Sequence, residues 1–168
     1  MTFAVILLAL VTAERLGELW LAQRNTTALL KKGAFEVAAQ HYTLIVLVHG
    51  FWLVGLWTFG WDRPVNLAWL AVFLVLQVLR LWVLATLGRR WTTRIIVLPG
   101  EQLVAIGPYR WLTHPNYVVV VGEIAVLPLC LGLPWFALAF TLANAAVLTV
   151  RIRAENAALQ PSRNLAQP

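Results

Sequence analysis

Residues 116–150 read NYVVVVGEIAVLPLCLGLPWFALAFTLANAAVLTV, a mostly apolar stretch whose one carboxylate is Glu123. A single α-helix of that length would run about 52 Å at ~1.5 Å per residue. The hydrocarbon layer of a bilayer is only about 30 Å thick. The stretch is therefore expected to fold back on itself. Gly132-Leu133-Pro134 supplies the break, because proline cannot continue the helix before it. The reading is a tight hairpin of two spans, about 116–131 and 134–153.

The rest of the chain agrees that lipid is the main solvent. Of its 168 residues 61% are hydrophobic and 12% charged, with a mean hydropathy of +0.77. A soluble domain carries about twice that share of charge, and seven acids with thirteen bases cannot cover its surface. This excludes a disordered chain, a soluble globular enzyme and a nucleic-acid-binding domain with a charged surface. Three further spans are predicted over about 2–23, 41–60 and 65–88, leaving a tail at 154–168. The first begins with no basic region before it, so it reads as a retained helix and not a cleaved signal. The expected architecture is a single all-α integral-membrane domain of five transmembrane helices over 1–168.

The bases test the topology independently. Arg24, Lys31 and Lys32 follow span one; Arg89, Arg90, Arg94 and Arg110 precede span four; Arg151, Arg153 and Arg163 end the chain. Ten of the thirteen bases thus fall in alternate loops, on one side. The positive-inside rule makes that side cytoplasmic and puts the N-terminus outside. There is no internal repeat of the kind that marks an inverted-repeat transporter.

Polar residues stand out against this background in three places. Gly107-Pro108-Tyr109-Arg110-Trp111-Leu112-Thr113-His114-Pro115-Asn116-Tyr117 precedes span four. Thr113 can cap the helix with Pro115 in its first turn, and His114 and Tyr117 share a face. This is either a capped start with interfacial aromatics or an anion site at a helix N-terminus. At the end of span five, Arg151 and Glu155 can pair four residues apart, and Asn144 extends their stripe. Within the spans lie Glu14, Glu18, Gln77, Arg80 and Glu123. Ionisable groups in lipid face the bundle interior, so Arg80 is expected to pair with Glu14, Glu18 or Glu123. Glu123, on the face of Asn116, is equally readable as a site residue.

Other chemistries are excluded or unsupported. Cys130 is the lone cysteine, so the chain has no internal disulfide and no cysteine metal cluster. Three histidines without clustered carboxylates do not make a metal site. His41 and His49 read as tucked, hydrogen-bonded side chains. The chain has no G-x-G and no phosphate loop, which excludes a Rossmann-type cofactor fold.

The order Gly107-Pro108-Tyr109-Arg110, His114-Pro115-x-Tyr117, apolar hairpin, Arg151-x-x-x-Glu155-x-x-x-Leu159 resembles the isoprenylcysteine carboxyl methyltransferase family over roughly 80–160. Upstream, Glu14-Arg15-x-x-Glu18-Leu19, Arg24-Asn25, Gly33-Ala34-x-Glu36, His41-Tyr42 and Leu87-Gly88-Arg89-Arg90-Trp91-Thr92-Thr93-Arg94 resemble a bacterial branch of it, often associated with alkylpyrone-like lipids. The resemblance implies an enzyme: an S-adenosylmethionine-dependent methyltransferase of the bacterial inner membrane, its active site facing the cytoplasm. The implied cofactor pocket comprises Tyr109, His114, Pro115, Asn116, Tyr117, Arg151 and Glu155. Arg110 is the candidate to stabilise charge on the acceptor oxygen, with Glu123 as a deeper polar contact. The implied partners are membrane lipids and a lipophilic or prenylated acceptor arriving from the bilayer, with no nucleic acid and no metal.

Two positions depart from the family pattern. Thr113 stands where an arginine commonly precedes His-Pro and faces an acceptor carboxylate, which shifts the expectation toward a hydroxyl or enol of an alkylpyrone or phenolic lipid. Asn156 stands where a second acid is usual, so Glu155 alone carries over. The alternative functions are a membrane reductase using NADPH and a non-catalytic lipid-binding or scaffold protein.

Overall fold

The computed structural model describes residues 2–164; the side chains of His41 and of 160–164 lie outside the described residues, as do residues 165–168 of the expected tail. Five helices stand where five spans are expected: α1 (Phe3–Leu30), α2 (Ala39–Gly60), α3 (Leu67–Leu87), α4 (Pro115–Cys130) and α5 (Pro134–Asn164). Among the described residues α2, α3 and α5 are long and apolar enough to cross a membrane. α1 is longer than α2 and α3, with 28 residues, but Glu14, Arg15 and Glu18 interrupt it, and α4 has 16 residues.

Two helices outrun their predicted ends. α1 continues from 23 to Leu30 through Asn25-Thr26-Thr27, which are poor helix formers. Tertiary bonds override that preference. Asn25 Nδ2 donates to the carbonyls of Gly88 (3.1 Å) and Trp91 (2.8 Å), and Thr27 Oγ1 bonds back to Gln23 O (3.0 Å). α5 runs to Asn164 because Ala154, Ala157, Ala158 and Leu159 are strong helix formers, so the expected tail is mostly helix.

A feature with no counterpart in the all-α expectation lies between the long loops. Strands β1 (Phe35–Val37) and β2 (Ile95–Val97) form an antiparallel ribbon, Glu36 opposite Ile96. Arg94 beside it is clamped by Glu36 at 2.9 Å and lies over the Tyr42 ring at 4.5 Å.

Along its length the bundle has three levels. One end is a dry core of Leu8, Trp52, Leu56, Phe73, Ile124, Leu127 and Leu131. The turns close it: Thr2 Oγ1 donates to Trp61 O at 2.8 Å, and Asn66 N to Cys130 O at 2.8 Å. The hairpin break falls at Gly132 and Leu133, where Leu133 N reaches back to Pro128 O at 2.9 Å. The other end holds Ala22, Val83 and Trp91 beneath the ribbon.

Between the two lies a charged layer. Arg80, 3% exposed, meets both oxygens of Glu123, its Nε donating to Oε1 at 2.9 Å. Glu123 Oε1 also accepts from Gln77 Nε2 (3.0 Å) and Arg15 Nη2 (3.1 Å). Glu18 pairs with Arg15 (2.8 Å) and Arg80 (3.4 Å), and Glu14 with Arg15 (3.5 Å). Of the expected partners of Arg80, Glu123 and Glu18 bind it, while Glu14 turns to Arg15. Gly122 lets α4 approach here, since a Cβ on it would sit 2.8 Å from Leu76 of α3.

Lipid tails are as apolar as leucine, so hydrophobicity alone does not hold such helices together; packing and polar bonds do. Removing one member of a buried ion pair leaves its partner uncompensated, at a cost of about 3–5 kcal/mol. Arg80→Met should lower unfolding stability in detergent by about that much, and adding Glu123→Leu should restore part of it. Equal melting of Arg80→Met and the native protein would show that this layer is not structural.

Candidate active site

The third level is a cavity of about 470 Å³ at the end of the bundle with the ribbon. α1 contributes Leu29 and α3 Leu87. The segment after α3 contributes Arg90 to Thr92 and Arg94 to Leu98. The 3₁₀ turn Gly107–Arg110 contributes Tyr109 and Arg110, α4 contributes Asn116 and Tyr117, and α5 contributes Arg151, Glu155 and Leu159. That volume lies within the usual 300–1,000 Å³ of small-molecule sites, roughly.

Sequence distance collapses here. The His114 and Tyr117 rings stack, centroids 5.2 Å apart and planes 26° apart, as a three-residue helical spacing allows. The Tyr117 hydroxyl donates to Glu155 Oε2 and accepts from Arg151 Nε at 2.8 Å. Arg151 and Glu155 are thus joined through Tyr117 and do not pair directly as their spacing suggested. Arg151 Nη2 also donates to Thr93 O at 2.7 Å, tying α5 to the loop before β2. His114 Nε2 lies 3.1 Å from Asn156 Oδ1, and Nδ1 lies 3.9 Å from Glu155 Oε1.

The helix start differs from its expected form. His114, not Thr113, is the N-cap residue, and no side chain caps the end; Pro115 opens the helix. Tyr117 N and Val118 N both bond to His114 O, at 3.1 and 3.4 Å, and proline has no N–H. Most of the donors that would make an anion site there are therefore used or missing. Thr113 instead lines the cavity.

Of the residues proposed from sequence, Tyr109, Arg110, His114, Asn116, Tyr117, Arg151 and Glu155 all line this cavity. Pro115 is buried beneath it, shaping the helix start. Glu123 is not among the lining residues; it belongs to the charged layer, from which Arg80 Nη1 reaches Asn116 Oδ1 at 3.5 Å. Asn156, read as a departure, orients His114. Trp91, Arg90, Arg94 and strand β2 also line the cavity. The sequence signal for that strand was Ile95-Ile96-Val97, a β-branched run before Leu-Pro-Gly, facing the short Phe35-Glu36-Val37.

The electrostatics are uneven. Arg90 is paired with Glu101 at 2.8 Å and Arg94 with Glu36. Arg110 is exposed at the mouth and has no carboxylate partner among the described residues. Glu155 Oε1 has no hydrogen bond among the described residues, so one carboxylate oxygen is open to the cavity. Trp91 is 3% exposed, and its Nε1 has no partner among them. Burial, reinforced by the charge of Glu155, holds the Tyr109 phenol well above its ordinary range, so it remains a neutral donor at physiological pH. His49, outside this site, bonds to Ile45 O at 2.9 Å, tucked as expected. The described residues contain no cluster of three or more His, Cys, Asp or Glu placed to hold a metal ion.

The model of the isoprenylcysteine carboxyl methyltransferase family matches residues 69–161, which include nearly all of α3 and all of the cavity wall that follows it. The chain belongs to this family. Membership points to an integral-membrane methyltransferase, in accord with the apolar helices. Among similar chains is the uncharacterized protein YpbQ of Bacillus subtilis (strain 168), 38% identical over 92% of this chain and 95% of its own. An uncharacterized protein of Haemophilus influenzae (strain ATCC 51907 / DSM 11121 / KW20 / Rd) is 27% identical over 95% of this chain and 96% of its own. No solved structure matches the chain.

Gly107 shapes the cavity mouth of this family member. Its φ is +57°, and a Cβ there would lie 2.5 Å from Thr86 Oγ1 on α3. Gly107→Ala should cost about 1–3 kcal/mol of stability from backbone strain, read as a lower melting temperature in detergent. An unchanged melt would mean that the turn accepts a side chain.

Proposed function

We propose that this chain is an S-adenosylmethionine-dependent O-methyltransferase acting on a lipophilic acceptor at the cytoplasmic face of a bacterial inner membrane, with all five helices crossing and the N-terminus outside. The observation that carries the reading is the joined set His114, Tyr117, Arg151 and Glu155 in a cavity with one open carboxylate oxygen. Those residues suit this cofactor. Glu155 Oε1 can take an α-ammonium in a charge-assisted bond, and Arg110 a carboxylate. The face of Tyr109 suits a cationic sulfur. The unpartnered Trp91 N–H adds a donor in the wall.

When bound, the cofactor supplies an activated methyl group whose leaving group is a neutral thioether. The residues then have to position the acceptor and exclude water; positioning is the main source of acceleration in such a transfer. His114 Nδ1, facing Glu155, can hold the proton that a hydroxyl loses. Leu29, Leu87, Leu98 and Leu159 give the cavity an apolar side for the part of a lipid acceptor nearest the reacting oxygen. A site in the membrane makes sense for a substrate that partitions there. Thr113 in place of arginine favours a hydroxyl or enol, such as that of an alkylpyrone or phenolic lipid, over a carboxylate.

Two measurements test this. Titration of the purified protein should show binding of S-adenosylhomocysteine and not of NADPH. Glu155→Ala should weaken that binding about tenfold to a hundredfold, the worth of a hydrogen bond to a charged group, while the variant still inserts. Undiminished affinity would remove Glu155 from the site. Incubating a membrane lipid extract with the protein and a labelled methyl donor should then give a labelled ether. A labelled ester or amine would redirect the acceptor to a carboxylate or phospholipid amine, and no labelled lipid would sink the reading.

A further inference from the structure

α1, with its 28 residues, is about 42 Å long, some 12 Å more than the hydrocarbon layer needs. The surplus lies at its C-terminal end. The Thr2–Trp61 bond holds its start level with the turn between α2 and α3, where Asp62 and Arg63 meet water. Residues from about Trp20 onward therefore pass through the boundary and headgroup layer of the opposite face.

On that stretch Trp20, Gln23, Arg24, Thr27, Ala28 and Lys31 line a shallow groove of about 430 Å³. Their spacing puts them on one side of the helix. Trp20 is exposed at the level where indole rings settle, and the Arg24 guanidinium lies 5.8 Å from its centroid. Arg24, Lys31 and the adjoining Lys32 have no carboxylate partner among the described residues. Arg15, Arg80, Arg90 and Arg94 each have at least one. One turn toward the hydrocarbon, on the same side, Leu16 is exposed and the space beside Gly17 is open. The groove shares no lining residue with the catalytic cavity, which α1 meets through Leu29.

We propose that this groove is a binding site for an anionic phospholipid, its phosphate between Arg24 and Lys31 and an acyl chain along Leu16 and Gly17. Unpaired bases held at headgroup depth beside an apolar strip complement a lipid with net negative charge. A zwitterionic headgroup offers its phosphate together with a compensating cation, so it gains less.

The test uses the full-length protein in mild detergent and native mass spectrometry, with phosphatidylglycerol and phosphatidylcholine as probes. The native protein should retain phosphatidylglycerol in preference to phosphatidylcholine. Arg24→Gln with Lys31→Gln should lose about thirtyfold in affinity, two charges at about 1 kcal/mol each, with helix content unchanged. Arg63→Gln, at the opposite end of the bundle, should retain the lipid as the native protein does. Equal retention of phosphatidylglycerol by the native protein and the double variant would overturn the site, and so would equal retention of the two lipids by the native protein. Neither result depends on methyl transfer.

Discussion

The interaction on which the structure depends is the buried meeting of Arg80 with Glu123. An isolated charge in a membrane interior is costly by several kcal/mol. Each of these two must therefore find the other, and the remaining lone pairs and protons must find partners too. Gln77, Arg15, Glu18 and Asn116 supply them. In doing so they bring α1, α3 and α4 into one arrangement. In a solvent where apolar contact carries little preference between helix and lipid, this layer gives the bundle its register.

The same layer separates two environments. On one side the chain is dry, and Leu8, Leu56, Leu127 and Leu131 are almost completely buried. On the other side the polar residues are arranged around open space. Asn116 belongs to both, lining the cavity and receiving Arg80. The first turn of α4 is thereby aligned from below, which sets the direction of Tyr117 one residue later. From above, Arg151 fixes that tyrosine and the loop before β2. The cavity is held from both ends without a metal-binding cluster or disulfide among the described residues.

The ribbon and α5 together show how a small membrane chain closes a polar chamber at one end of its bundle. Helices that end at the bilayer surface would leave the cavity without a roof. Here α5 continues well past Arg151, and β1 pairs with β2 across the cavity end. Glu36 and Arg94 hold that pairing beside Tyr42 at the start of α2. The roof therefore depends on residues from both halves of the chain, including the part before residue 69.

The family resemblance pointed to Tyr109, Arg110, His114, Asn116, Tyr117, Arg151 and Glu155 in the cavity wall, while the sequence by itself determined the helices, the hairpin break and which of those residues share a helix face. Those follow from local facts: the length of an apolar run, a proline that cannot donate, a three- or four-residue spacing on one helix face. It also narrowed the partners of Arg80 to three carboxylates, because charge in lipid has few options. Only the tertiary structure decided which of the three bind it, that Tyr117 stands between Arg151 and Glu155, and that Asn156 takes up His114. It also placed Glu123 in the charged layer and not in the cavity wall, and it made a ribbon from two triplets almost sixty residues apart. These outcomes turn on distances between elements, and no local pattern encodes them. A side chain with several chemically suitable partners takes the one that packing brings within about 3 Å.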